Sequence, residues 1–153
     1  MKDKKIIIGW QEMISIPNWG ISEVRAKIDT GARSSAFDVG FVEEINDNKV
    51  RFEVVYKRNS PEHRKIIESE ISRHTRIRSS NGQIQHRYLV LVPVTIGPIT
   101  KSVEFSLVCR KNMICRAIIG RKALEDDFIV DCSNKFLLNP RRKIKKSKGT
   151  RTK

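Results

Sequence analysis

The sequence has few of the residues that build metal centres or disulfide frameworks. Its three cysteines, Cys109, Cys115 and Cys132, form an odd set with no CxxC spacing, and its three histidines, His63, His74 and His86, are scattered. The cysteines therefore read as reduced thiols in a reducing compartment. No HExxH string is present, which excludes a zinc peptidase of that simple type, and no metal or other cofactor is expected. There is no glycine-rich phosphate loop and no GxSxG elbow. Nucleotide chemistry is therefore not indicated, and Ser34 and Ser35 read as locally turn-bonding hydroxyls rather than nucleophiles. Long apolar runs are missing too. Ile6-Ile7-Ile8 stops at Gly9, far short of a signal-peptide core or a span of about 20 apolar residues. A cytoplasmic protein without membrane association is expected.

Positive charge, by contrast, is abundant. Lys and Arg number 31 against 17 Asp and Glu, for a formal net charge of +14. Eight of those cations fall in the last thirteen residues, RRKIKKSKGTRTK, which hold no acid. A stretch that repels itself and has no apolar period is expected to be a disordered basic tail over 141–153. It would attract RNA, a ribosomal surface or an acidic protein in a salt-dependent way, or simply aid solubility. The body before it has no zinc-finger spacing, RNP-type motif or helix-turn-helix, so sequence-specific nucleic-acid recognition is not indicated. With 153 residues, 39% of them hydrophobic, residues 1–140 suffice for one domain around one core.

Short apolar runs broken by turn residues dominate that body. Strands are predicted at Ile6 to Gly9, Met13 to Ile16, Ile21 to Ile28, Ser35 to Val42 and Lys49 to Tyr56. More follow at Ile66 to Glu70, Thr75 to Arg78, Gln83 to Ile96, Thr100 to Cys109, Ala117 to Gly120, Phe128 to Val130 and Lys135 to Leu138. Val50, Phe52 and Val54 alternate with Arg51, Glu53 and Val55, the pattern of a strand with one wet face. Asn81-Gly82 predicts a tight hairpin turn, since both residues tolerate positive φ. Residues 57–73 fit a strand, an irregular lobe or a short helix. One helix is predicted, just after Gly120. That is too little to cover a parallel sheet, so the fold class is all-β, a closed or partly closed barrel.

Asp29-Thr30-Gly31-Ala32 follows directly on the apolar run that ends at Ile28. A carboxylate at a strand end, held by a turn containing glycine, is presented rigidly while the backbone can approach a substrate closely. The same string also suits a plain strand-ending turn. About ninety positions later, Ala117-Ile118-Ile119-Gly120-Arg121 is a second apolar strand ending at glycine, just before the predicted helix.

Three strings in order sharpen this: AKIDTGARSSAFDV at 26–39, RIRSSNGQIQHRYLVLVPVTI at 76–96 and VEFSLVCRKNMICRAIIGRKALEDDFIVD at 103–131. Over nearly the whole body, the chain resembles the small retropepsin-like aspartic peptidases formerly called ATP-dependent zinc proteases. Members are often encoded beside ATP-grasp enzymes that attach glutamate. The resemblance implies an acid-protease barrel in which the Ile-Ile-Gly strand passes behind the Asp-Thr-Gly turn. It also implies peptidase activity on acidic or glutamate-modified tails; the alternative is a noncatalytic module of the same fold that binds an acidic protein or RNA. Where relatives carry Leu-His-Ala, this chain has Phe37-Asp38-Val39.

Aspartic peptidases activate water between two carboxylates that share a proton. The chain has one Asp-Thr-Gly, so the implied catalytic group is Asp29, supported by Thr30 and Gly31. A homodimer would bring two copies of Asp29 to a two-fold axis; otherwise Asp38 or Asp131 are the candidate second carboxylates. Ala32, Ile119 and Gly120 would shape the site. Arg33 and Arg121 beside it would organise it or hold substrate carboxylates, since a guanidinium pairs with them in bidentate fashion.

Overall fold

Alternation along the strands decides which face goes inward. A computed structural model describes residues 4–56, 64–110 and 114–138. Among them lie eleven strands: β1 Ile6–Gly9, β2 Gln11–Ile16, β3 Ile21–Ile28, β4 Ser35–Asn46, β5 Lys49–Val55, β6 Arg64–Glu70, β7 Arg73–Arg78, β8 Ile84–Ile96, β9 Ile99–Val108, β10 Ala117–Ile119 and β11 Phe128–Asp131. One short helix, α1 Arg121–Leu124, follows β10. Val50, Phe52 and Val54 of β5 are fully buried, as are Val90, Val94 and Ile96 of β8.

Six strands close on themselves in the order β10, β3, β2, β8, β9, β4 and back to β10. The chain is thus a nearly all-β barrel with one short helix. Its centre is aromatic. Trp19, carried inward by the 3-10 turn Pro17–Trp19, packs edge-on against Phe37 at 5.3 Å and Phe52 at 5.2 Å between ring centres. Phe37 meets Phe105 at 5.6 Å in the same manner. Such edge-to-face pairs add to the area they bury.

Two features project from the barrel. The far half of β4 continues past the expected end at Val42 and pairs with β5, which pairs with β6. There Arg51 bonds Glu68 at 2.8 Å and Glu43 at 3.3 Å across neighbouring strands, which favours the extended pairing. On the other side, β7 pairs only with β8, as a two-stranded ribbon. Its turn spans Ser79 to Gln83, wider than the two-residue turn expected. Only Gly82 takes positive φ, +85°, and its N–H donates to the Ser79 carbonyl at 3.0 Å. Residues 64–70 and 73–78 are strands. Ile71 and Ser72 link those two strands, while residues 57–63 of the uncertain segment and the basic stretch 141–153 lie outside the described residues.

Lys135 to Leu138 do not form the expected strand. Phe136 donates to the Gln11 carbonyl at 2.9 Å, but Leu137 donates to the Glu12 carboxylate at 2.9 Å and Leu138 at 3.2 Å. Gly9 adds a third backbone donor at 2.7 Å. The buried Glu12 side chain thus replaces a neighbouring strand as acceptor, and an apolar segment looks like a strand in sequence without being one. Removing that carboxylate strands three donors, each worth 1 kcal/mol or more. Glu12→Ala is expected to lower unfolding free energy by about 3 kcal/mol in urea titrations; an unchanged midpoint would show that this anchor is not needed.

Candidate active site

The site begins where β10 enters between β3 and β4. It runs parallel to β3, with Ile119 opposite Ile28, and antiparallel to β4, with Ala117 opposite Phe37. A single short strand thereby ties together the two strands that leave and enter the Asp-Thr-Gly turn. The Asp29 N–H donates to the Ile119 carbonyl at 2.9 Å, and the Ala32 N–H closes the turn on the Asp29 carbonyl at 3.2 Å. Beyond the glycine, the Arg121 N–H donates to the Ala32 carbonyl at 2.8 Å and the Lys122 N–H to the Arg33 carbonyl at 3.0 Å. The Arg121 side chain reaches back through Nη1 to the Thr30 carbonyl at 3.0 Å.

Gly120 is forced by proximity. A Cβ there would sit 2.4 Å from the Ser34 carbonyl oxygen and 2.9 Å from that of Ala32, and neither backbone atom can swing away. Its N–H donates to the buried Ser35 hydroxyl at 3.0 Å, across 85 positions of sequence. Ser35 is therefore a long-range clasp, where the sequence suggested only local turn bonding.

The Asp29 carboxylate is half-buried. Its Oδ1 accepts the Gly31 N–H at 3.0 Å, and no other side chain bonds it among the described residues. A carboxylate fixed by one backbone donor, with its remaining lone pairs available, can hold a water or a partner carboxyl group. Thr30 and Gly31 are exposed and Ala32 half-buried.

The two other candidate carboxylates are engaged elsewhere. Asp38 is 1% exposed; it accepts the Arg110 N–H at 2.7 Å and Arg116 Nη1 at 2.6 Å. Asp131 caps the turn after β11, taking the Ser133 N–H at 2.9 Å, the Ser133 hydroxyl at 2.8 Å and Asn134 Nδ2 at 2.8 Å. Both are hydrogen-bonded within the fold, and among the described residues neither bonds to Asp29. Arg121 braces the turn as described, whereas exposed Arg33 lines a neighbouring cavity with Lys122, Arg73 and Glu104. No sequence motif marked that cavity, because its walls come from five separate segments.

Cys115, two positions before β10, is a poor competitor for the site. Cys115 is buried, and burial pushes its thiol above the ordinary range despite nearby Arg25, Lys27 and Lys135; a thiol so shifted is a poor nucleophile. Among the described residues no group of three His, Cys, Asp or Glu side chains could hold a metal ion. No helix among them is long and apolar enough to cross a membrane.

A family model for the RimB-like group, described as the retropepsin-like aspartic endopeptidase RimB, matches residues 7–141. The chain belongs to this family. Similar curated proteins include two named "Probable alpha-L-glutamate ligase", from Shewanella halifaxensis, 35% identical, and Shewanella pealeana, 34% identical, each match covering 90% of this chain. The chain spans 31% of the length of each. The same printed name belongs to a relative from Parasynechococcus marenigrum, 28% identical over 84% of the chain and 28% of its own length. A crystal structure of a Legionella pneumophila protein of unknown function, Lpg0085, shares the fold of this RimB-like chain. It has a TM-score of 0.73 and 24% identity, covering 89% of this chain and all of that one.

Two substitutions test the division between site and scaffold. Gly120→Ala is expected to cost about 1–3 kcal/mol through overpacking, read as a lowered urea midpoint, because the added methyl meets backbone. Asp38→Asn should cost about 3 kcal/mol by leaving Arg116 without its charge partner. Loss of function with unchanged stability would instead make Asp38 part of the chemistry.

Proposed function

We propose that this chain is an aspartic peptidase that hydrolyses amide bonds in acidic or glutamate-modified tails, with Asp29 as its catalytic carboxylate. The observation that carries the reading is Asp29 itself: a half-buried carboxylate at a strand end, held by the Gly31 N–H and a turn tied to β10. Membership of a family described as aspartic endopeptidases supports the same reading.

Within the described residues no carboxylate bonds to Asp29, and Asp38 and Asp131 are hydrogen-bonded elsewhere. In this reading the catalytic unit is a homodimer, in which a two-fold axis sets Asp29 opposite Asp29 of a second copy. Two carboxyls about 3 Å apart cannot both ionise comfortably, so they share one proton. The ionised member takes a proton from the bound water as its oxygen attacks the carbonyl carbon, while the protonated member donates to the carbonyl oxygen. Collapse of the tetrahedral species breaks the C–N bond, and the amine leaves with a proton from the dyad.

The substrate class rests on charge and on the relatives. Arg33 and Arg121 adjoin the turn, and the chain carries a net charge of +14, which favours an acidic peptide. The curated relatives are named as glutamate ligases, and the chain matches one segment of them; an activity that removes glutamate complements one that adds it.

Mass spectrometry of α- and γ-linked oligoglutamate peptides after incubation with wild type or Asp29→Asn, from mildly acid to mildly alkaline pH, tests this. Specific products are expected from the wild type, with Asn slowing their formation at least about a hundredfold. Equal product patterns would sink the aspartic mechanism. Absence of products from both would favour a binding module of the same fold.

A further inference from the structure

Beside the Asp29 turn lies a cavity of about 720 Å³, with Arg33, Ser72, Arg73, Glu104 and Lys122 among its lining residues. Its size suits a short stretch of peptide rather than a lone ion. Arg33 stands two residues beyond Gly31, and the Lys122 N–H bonds its carbonyl at 3.0 Å. The cavity is thus built onto the same loop that presents Asp29, and a substrate lying across that turn can extend into it.

Its charge is unbalanced. Glu104 is fully engaged: Arg73 donates to Oε1 through Nη2 at 2.9 Å and to Oε2 through Nε at 3.2 Å, and the Ser72 hydroxyl donates to Oε2 at 2.5 Å. Arg73 foremost, with Ser72 assisting against partial burial, holds the Glu104 carboxyl below its ordinary range, and Lys122 adds an electrostatic contribution. Glu104 therefore stays ionised and committed to Arg73 at neutral pH. Arg33 and Lys122 form no ion pair among the described residues, and the charged lining of three cations, Arg33, Arg73 and Lys122, against one anion, Glu104, leaves the concave site net positive. Leu91 and Ala123 line it as well, a surface on which side-chain methylenes can lie.

We propose that this cavity is a second, noncatalytic subsite that holds a side-chain carboxylate of an acidic peptide away from the bond being cut, with Lys122 and Arg33 as its counter-charges. The Arg73–Glu104–Ser72 cluster is the wall that keeps the site in shape. The inference rests on the peptidase reading for the peptide's course past Asp29, but binding can be measured without turnover. An aliphatic acid suits the site because it uses both parts, the cations for its carboxylate and the apolar wall for its stem.

The test is equilibrium binding of oligo-α-glutamate to full-length Asp29→Asn protein, alone and combined with Lys122→Gln or with Lys49→Gln, an exposed lysine on β5. Oligoglutamine of the same length serves as the uncharged probe, and thermal melts confirm folding of each exposed-residue variant. Lys122→Gln is expected to weaken oligoglutamate binding about tenfold, the effect of one charge-assisted contact, with Lys49→Gln and the glutamine probe unaffected. Equal weakening by both lysine substitutions, or none by Lys122→Gln, overturns the subsite. In the wild-type background Lys122→Gln should raise KM with kcat held, since the contact lies away from the reacting atoms. Lys122-dependent binding without any cleavage by the wild type would leave the subsite standing and remove the peptidase reading. Cleavage with Lys122-independent binding would do the reverse.

Discussion

The structure depends on one insertion: three residues of β10 lying between β3 and β4. That strand closes the six-membered ring and at the same time holds both ends of the Asp-Thr-Gly turn. The approach is close enough that only glycine fits at 120, where the backbone meets the Ser34 and Ala32 carbonyls. Barrel closure and presentation of Asp29 are therefore the same event. A chain that failed to seat β10 would lose the Ile119 acceptor for Asp29 and the Ser35 clasp together.

Three carboxylates differ in how far the fold itself uses them. Glu12 is buried and receives three backbone donors; Asp38 is buried against a guanidinium and a backbone N–H. A buried charge is tolerable only when it is satisfied in this way. Asp29 receives a single N–H and remains half-buried, so it alone of the three retains lone pairs for something outside the fold.

Much of this was legible in the chain because it is local. Alternation in residues 49–55 marks a one-sided strand, Gly82 marks the hairpin, and Asp29-Thr30-Gly31 with Ile118-Ile119-Gly120 marks the turn and the strand behind it. The misread elements failed for a shared reason. Lys135 to Leu138 carries the apolar character of a strand, but the N–H groups of Leu137 and Leu138 go to the Glu12 carboxylate, more than a hundred positions away. Ser35 looked like a turn hydroxyl and instead accepts from Gly120. Local composition reports which backbone conformation suits a residue, not which distant group receives its hydrogen bond.

By itself, the sequence determined the strand pattern, the single short helix, the excess of positive charge and the position of Asp29 at a strand end, because periodicity, turn chemistry and charge are properties of neighbouring residues. Tertiary structure alone decided that Asp38 pairs with Arg116 and that Glu12 anchors the segment after β11. It likewise gathered Arg33, Arg73, Glu104 and Lys122 around one cavity. These outcomes depend on ladder register and barrel closure, which bring together segments separated by tens of residues whose spacing in the chain carries no trace of the contact.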